Sequence, residues 1–315
     1  MTRNTLQIIG PASSTCSRFD RDLHVRGGGA WCNSGVDDRP RSRRRETGAA
    51  SARSLLLTVL GEFVLPRHAA AWTAALVTAL AELGVEEKAA RQALSRTAAE
   101  GLLTSEREGR RVRWHLTPAG TRLLEEGTER IYGFGRRVEE WDGRWLILTV
   151  SVPETQRQLR HRLRTRLTWA GLGSPLPGLW VSPYADKEKE VAVVIEELGV
   201  ESFSFTGPFG IVGDQQKVVA DAWALDAVEE RYAAFLRAFR SEKAATTTAA
   251  FRDQVRLVQE WRRFPFLDPA LPAPLLPATW PGPAAAALFH ARHDHWHAAA
   301  QEHWDELAGN AELRS

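Results

Sequence analysis

Five side chains able to read nucleic-acid bases recur at helical spacing within residues 86–100: Lys88, Arg91, Gln92, Ser95 and Arg96. At 100° per residue they share one side, while Ala90, Ala93, Leu94 and Thr97 share the other. Arginine offers a donor fork to guanine, glutamine a donor–acceptor pair to adenine, and serine a hydroxyl to either. The small apolar back would let such a helix pack closely on its neighbours. Taken alone, the pattern also fits an ordinary solvated amphipathic helix. The segment after it separates the two readings. Arg107, Arg110, Arg111 and Arg113 fall within seven residues that contain a single acid, Glu108. A solvated face usually mixes signs, whereas a hairpin lying along a phosphate backbone needs one sign.

Two further groups carry chemistry. Arg157, Arg160, His161, Arg162, Arg164 and Arg166 crowd one helical stretch. They fit a second DNA contact, a surface for an anionic ligand, or a solvated face. His290, His293, His295, His297 and His303 lie in a last helical run at about 284–307. His293 and His297 have the i, i+4 spacing of a metal pair, but no Glu lies between them as in a zinc protease and no Cys is near. The expectation is therefore a solvated helix and no metal. There is no Gly-rich phosphate loop, nucleophile elbow or triad-like order, so no catalytic residue and no cofactor is assigned.

The elements that must position these residues follow from periodicity. Leu55, Leu56, Val59, Leu60 and Phe63 mark a helix that starts after a Ser cap and stops at Pro66. Trp72, Leu76, Leu80 and Leu83 mark a second, closed by Gly84. The base-reading helix is the third, and Glu86-Glu87 suit the positive end of its dipole. Residues 102–108 and 110–116 read as two strands joined at Glu108-Gly109. Thr117-Pro118 opens a closing helix as cap and first residue. Three helices, a hairpin and a closing helix are the order of a winged helix-turn-helix, expected over 51–137. Residues 138–225 alternate as β-α-β-α-β: strands at 145–152, 178–182 and 200–206, with helices from Pro153-Glu154 and over 186–198. That order suggests a ferredoxin-like α/β domain. Residues 226–315 read as helical (with 214–223 just before them), interrupted by seven prolines between Phe264 and Pro283 that predict an extended connector. The fold class is thus α+β and multidomain.

The chain has 315 residues, 43% hydrophobic, with 41 basic and 39 acidic side chains and a net charge of +2. Bulk charge alone implies no nucleic-acid partner, so the argument rests on placement. Two cysteines, Cys16 and Cys32, exclude a disulfide scaffold and a Cys-rich zinc finger. No apolar run reaches the roughly 20 residues of a membrane span, and a cytoplasmic protein is expected. Residues 1–50 contain nine arginines and five acids. They read as a basic leader, either an arm toward DNA or a segment too polar to order itself; an over-called translation start is the other reading.

Several collinear motifs resemble the PaaX family of phenylacetic acid degradation operon repressors. They are Ser51-Ala52-Arg53-Ser54-Leu55, Ala89-Ala90-Arg91-Gln92-Ala93-Leu94-Ser95-Arg96, Leu116-Thr117-Pro118-Ala119-Gly120 and Trp141-Asp142-Gly143-Arg144-Trp145. Pro177-Gly178-Leu179-Trp180-Val181-Ser182-Pro183 and Trp223-Ala224-Leu225-Asp226 follow. The C-terminal block is the most specific: Glu260-Trp261-Arg262-Arg263-Phe264-Pro265, Asp268-Pro269 and Leu275-Leu276-Pro277-Ala278-Thr279-Trp280-Pro281-Gly282. The resemblance covers about 51–310. It implies a dimeric repressor of an aromatic catabolic operon, bound to double-stranded operator DNA and released by an aryl-CoA thioester such as phenylacetyl-CoA. It also implies that the C-terminal helices serve effector binding and dimerisation, with Arg262 and Arg263 as candidate ligands for the CoA phosphates. The competing class is a metal-dependent endoribonuclease built on the central domain. There Ser151 occupies the strand end where a catalytic Asp is expected, and a hydroxyl is a poor Mg²⁺ ligand.

Overall fold

The computed structural model describes residues 50–136, 140–241 and 244–313; nearly all of the expected leader lies outside them. The first helix, α1 (Ala52–Val59), starts where the Ser51 hydroxyl accepts the Ser54 N–H at 3.2 Å. It does not run straight to Pro66. A π-turn at Leu60–Val64 and a 3₁₀ turn at Leu65–Arg67 follow, and the wide turn carries Glu62 into the interior. A two-residue strand that the sequence reading missed, β1 (Ala71–Trp72), precedes α2 (Thr73–Glu82) and α3 (Glu87–Ala99). Then β2 (Leu103–Glu108) and β3 (Arg111–Leu116) form an antiparallel hairpin, with β1 on its other side in the order β1-β3-β2. The two-residue loop turns at Gly109, whose φ of 60° costs a glycine nothing. Thr117 caps α4 (Pro118–Gly133) by accepting the Gly120 N–H at 3.1 Å.

The middle of the chain runs β4 (Arg144–Ser151), α5 (Arg157–Trp169), β5 (Gly173–Leu176), β6 (Leu179–Ser182), α6 (Glu188–Leu198) and β7 (Glu201–Pro208). The expected β-α-β-α-β order is corrected to β-α-β-β-α-β. The extra strand is short, contains Pro175 and hides between two glycine turns, so it left no alternating pattern. The sheet order is β5-β6-β4-β7 and every pair is antiparallel. Leu146, Leu148 and Val150 alternate onto the face covered by Leu163 and Leu167 of α5 and Val191 and Val194 of α6. Trp145 and Val181 face the other way, against Val219, Leu271 and Leu275. The first helix of this unit starts at Arg157 rather than at Pro153-Glu154, with a turn between.

Helices α7 (Gln215–Ala222), α8 (Leu225–Phe239) and α9 (Thr247–Trp261) follow. The proline-rich stretch is not wholly extended: Phe264–Leu267 forms one helical turn, α10, and Ala273–Leu275 a 3₁₀ turn. The last helix, α11 (Gly282–Leu313), is 32 residues long and exceeds the expected run at both ends. Among the described residues, no helix is long and apolar enough to cross a membrane.

The principal core joins the first helices to the last. Leu56, Val59, Phe63, Leu76, Leu80 and Leu94 share one apolar cluster with Tyr232, Phe235, Phe251, Trp261, Phe289, Trp296 and Trp304. Phe63 lies 4.9 Å from Phe251 and 5.8 Å from Trp304, ring centre to ring centre, and Trp261 stacks on Phe289 at 4.8 Å. Each such fully buried aromatic contributes several kcal/mol.

Candidate nucleic-acid interface

Helix α3 sorts its residues as the sequence predicts. Ala90, Ala93, Leu94 and Thr97 are buried, and Lys88, Arg91, Gln92, Ser95 and Arg96 are exposed together on the opposite side. Three of the four buried residues are small or short, which lets α3 lie close on α1 and α2. Thr97 is satisfied internally, donating to the Ala93 carbonyl at 2.8 Å. Arg91 makes an i, i+4 ion pair with Glu87 at 2.8 Å, both exposed. Such a pair is weak and readily exchanged for another acceptor. The other end of α3 is fixed to α1 by the Arg53–Glu100 ion pair, a contact the sequence reading did not find.

The four hairpin arginines divide. Arg107 and Arg110 are exposed at the tip, with the Arg107 Nε donating to the Gly109 carbonyl at 3.1 Å. Arg111 and Arg113 instead sit 4.2 and 4.3 Å from the centre of the Trp72 ring. Arg113 also pairs with Glu108 at 2.9 Å, and Arg111 donates to the Ala311 and Glu312 carbonyls at the end of α11. Register explains the division: Trp72, Arg113 and Glu106 lie opposite one another across β1-β3-β2, with Arg111 and Glu108 next along that face. Two of the four arginines therefore help hold the hairpin to the body, and two project from it.

The hairpin seats on the closing helix through a glycine. A Cβ on Gly120 would lie 2.1 Å from the Leu102 carbonyl oxygen, so only glycine permits the approach. Thr117 donates to the Gly101 carbonyl on the same seam.

His295 and His297 of α11 are exposed, as expected of a solvated helix, but for His293 and His303 that expectation is corrected. His303 is buried and its Nε2 lies 2.7 Å from Glu82 of α2. His293 Nε2 lies 2.9 Å from Glu62, which also accepts the Tyr132 hydroxyl at 2.6 Å and the Gln254 amide at 2.9 Å. Burial alone would push the Glu62 carboxyl up, but the hydrogen bond and charge of His293, with Tyr132 and Gln254, outweigh it and hold it below its ordinary value. Burial raises the Tyr132 hydroxyl, and the Glu62 charge adds to the shift. Glu62 was legible only as a lone acid within an apolar run. No group of three or more His, Cys, Asp or Glu among the described residues could hold a metal.

Arg262 and Arg263, adjacent in sequence, have different surroundings. Arg263 pairs with Glu260 at 3.4 Å. Arg262 turns toward α1, 3.4 Å from the Thr58 hydroxyl, and no carboxylate among the described residues pairs with it. Burial, then the charge of Arg53, pulls its guanidinium below its ordinary value. Ser151 stands exposed at the end of β4, opposite Glu201 of β7.

Three family signatures match this chain: PaaX-like protein over residues 51–120, the PaaX protein central Cas2-like domain over 138–219, and the PaaX-like protein C-terminal domain over 223–306. An uncharacterised protein from Mycobacterium tuberculosis shares the fold, with a TM-score of 0.57 at 24% identity over 84% of this chain and all of that one. The transcriptional repressor PaaX of Escherichia coli K12 is 31% identical over 253 residues, which is 76% of this chain and 78% of that protein. With its three segments matched in order and a relative of that identity over most of its length, this chain belongs to the PaaX family.

Proposed function

We propose that this protein is a DNA-binding transcriptional repressor of an aromatic, phenylacetate-type catabolic operon. Residues 51–137 act as a winged helix-turn-helix, and α3 is the recognition helix. The observation that carries the reading is the exposed row Lys88, Arg91, Gln92, Ser95 and Arg96 on a helix whose back is buried, followed by a hairpin with Arg107 and Arg110 at its tip. The row supplies donors and acceptors for base edges, and the tip supplies cations for phosphates. The repressor relative supports the same role. The central strand order, with two helices on one sheet face, supports a ferredoxin-like domain.

The protein acts as a homodimer on two half-sites about one helical turn or a multiple apart. The exposed apolar residues that favour self-association lie on the edge strand β7 and the loop after it: Phe203, Phe205, Ile211 and Val212. An aryl-CoA thioester, phenylacetyl-CoA in the first instance, releases the DNA by favouring a dimer geometry in which the two recognition helices no longer match the half-sites. Arg262, partly buried with no carboxylate among the described residues against it, is the better candidate for a CoA phosphate; Arg263 already has Glu260.

The test is a gel shift of the full chain on its own promoter DNA, with and without phenylacetyl-CoA. A sequence-specific complex that dissociates with the thioester is the expected result. Failure to bind DNA at low salt overturns the whole reading. A complex indifferent to acyl-CoA compounds overturns the effector assignment alone.

A further inference from the structure

Helix α5 carries five arginines and one histidine in thirteen residues and no acid. A solvated face would not explain this arrangement. Arg157 and Arg160 occupy the first turn, at the positive end of the helix dipole, where cations are unfavourable. Arg157–Arg160, Arg160–Arg164 and Arg162–Arg166 are like-charge pairs at i, i+3 or i, i+4, which repel. The adjacent helix on the same sheet face, α6, is acidic, with Glu188, Glu190, Glu196 and Glu197 against Lys189. It could neutralise α5, yet a single ion pair, Arg166–Glu197, joins the two helices among the described residues. Arg160 donates to the Val152 carbonyl at 3.4 Å. The side chains of Arg157, Arg162 and Arg164 are exposed and make no hydrogen bond or ion pair with any described residue. Arg157, Arg160, His161, Arg164 and Thr168 fall within about 100° of arc, forming one stripe along a helix about 20 Å long.

The C-terminal end of α5 adjoins the closing helix of the winged unit. Trp169 at the end of α5 is largely exposed and lies 6.3 Å from the ring of Phe266. That ring carries Arg130 of α4 at 5.3 Å. Two exposed aromatic rings thus link Arg130 of the closing helix to the C-terminal end of α5.

We propose that α5 is a second DNA contact, a phosphate-backbone surface that holds duplex beyond the reach of α3 and the hairpin; the proposal rests on the DNA-binding reading above. Its residue type fits the ligand, because guanidinium groups pair with phosphate in bidentate fashion and remain charged. Its geometry fits backbone rather than bases, because a uniform row of one cation carries no sequence code.

The test compares full-length protein with the triple variant Arg157→Ala, Arg160→Ala, Arg164→Ala on the promoter duplex and on a scrambled duplex of equal length. Affinity is measured from 50 to 300 mM salt. A control variant makes the same change of charge elsewhere: Arg231→Ala, Arg237→Ala, Arg252→Ala. The α5 variant should bind both duplexes at least tenfold more weakly at 150 mM salt. Its plot of log affinity against log salt should be shallower by about 2–3, since each lost phosphate contact removes close to one unit of slope. The control should keep the wild-type slope. The substituted side chains are exposed and mutually repelling, so the thermal midpoint should be unchanged or higher. An unchanged slope in the α5 variant, or an equal flattening in the control, overturns the proposal while wild-type binding leaves the repressor reading in place. Wild-type protein that binds neither duplex overturns both.

Discussion

At the scale of single residues, the exposed row on α3 and the buried pairs on α11 make opposite predictions. Arg96 is exposed, so its guanidinium can pair with a base without unfolding anything. Arg96→Ala should weaken operator binding by about 1–3 kcal/mol and relax preference at one position, with the thermal midpoint unmoved; a titration against single-base operator variants checks this. Glu62 is the reverse case. It is buried and accepts from Tyr132 and Gln254 while facing His293, so removing it leaves the Tyr132 hydroxyl and the Gln254 amide only the single ring nitrogen of His293 between them. Glu62→Ala should cost about 3–5 kcal/mol in urea unfolding, and a loss below 1 kcal/mol would show the cluster to be slack.

The same groups set the acid response. Glu62 is held below its ordinary value, so its contribution is present at neutral pH and is lost as pH falls through that depressed value. His290 and His297 are also depressed, by burial first and then by neighbouring charge from Arg136 and His293 respectively. The unfolded chain protonates them more readily, so stability declines as pH drops through the ordinary histidine range near 6.5. Urea midpoints should fall between pH 7.5 and 5.5 and fall again below pH 4.5. His290→Gln with His297→Gln should flatten the first decline and leave the second.

At the scale of elements, Gly120 decides how the hairpin meets the closing helix. Gly120→Ala places a methyl against the Leu102 carbonyl. Either α4 or the strand must yield, at about 1–3 kcal/mol, and the hairpin should tilt. Weaker DNA binding with α3 itself unaltered is the expected signature, read from amide shifts in the two elements. Long periodic helices and capped starts were legible in sequence, because Ser51, Thr117 and the α3 pattern each act locally. What escaped has a common cause: the deciding partner is distant in the chain. β1 exists only because Trp72 meets Arg113, β5 because it pairs with β6, and the division of the hairpin arginines because Trp72 and the end of α11 meet two of them. His293 and His303 misled for the same reason, their acceptors being more than two hundred positions away on the π-turn and α2.

At the scale of the whole molecule, the shared core ties the N-terminal helices to the C-terminal ones. Phe289 is wholly buried against Trp261 and within ring contact of Tyr132. Phe289→Ala should destabilise by about 3–5 kcal/mol. Hydrogen exchange in α3 should quicken along with that in α9 and α11, although residue 289 is far from α3 in sequence. Unchanged α3 protection would separate the two halves.

The bond between Arg111 and the last turn of α11 has a mechanical consequence. A 32-residue helix is a rod about 48 Å long. A tilt of only about 3° about its Gly282 end sweeps the far end through roughly 2.5 Å, comparable to the reach of a hydrogen bond. That far end is fastened to Arg111, the first residue of β3 beside the hairpin turn, so a tilt of α11 would be passed directly to the hairpin tip. Small adjustments among the packed aromatics near its Gly282 end would arrive amplified, as a displacement of the turn that carries Arg107 and Arg110.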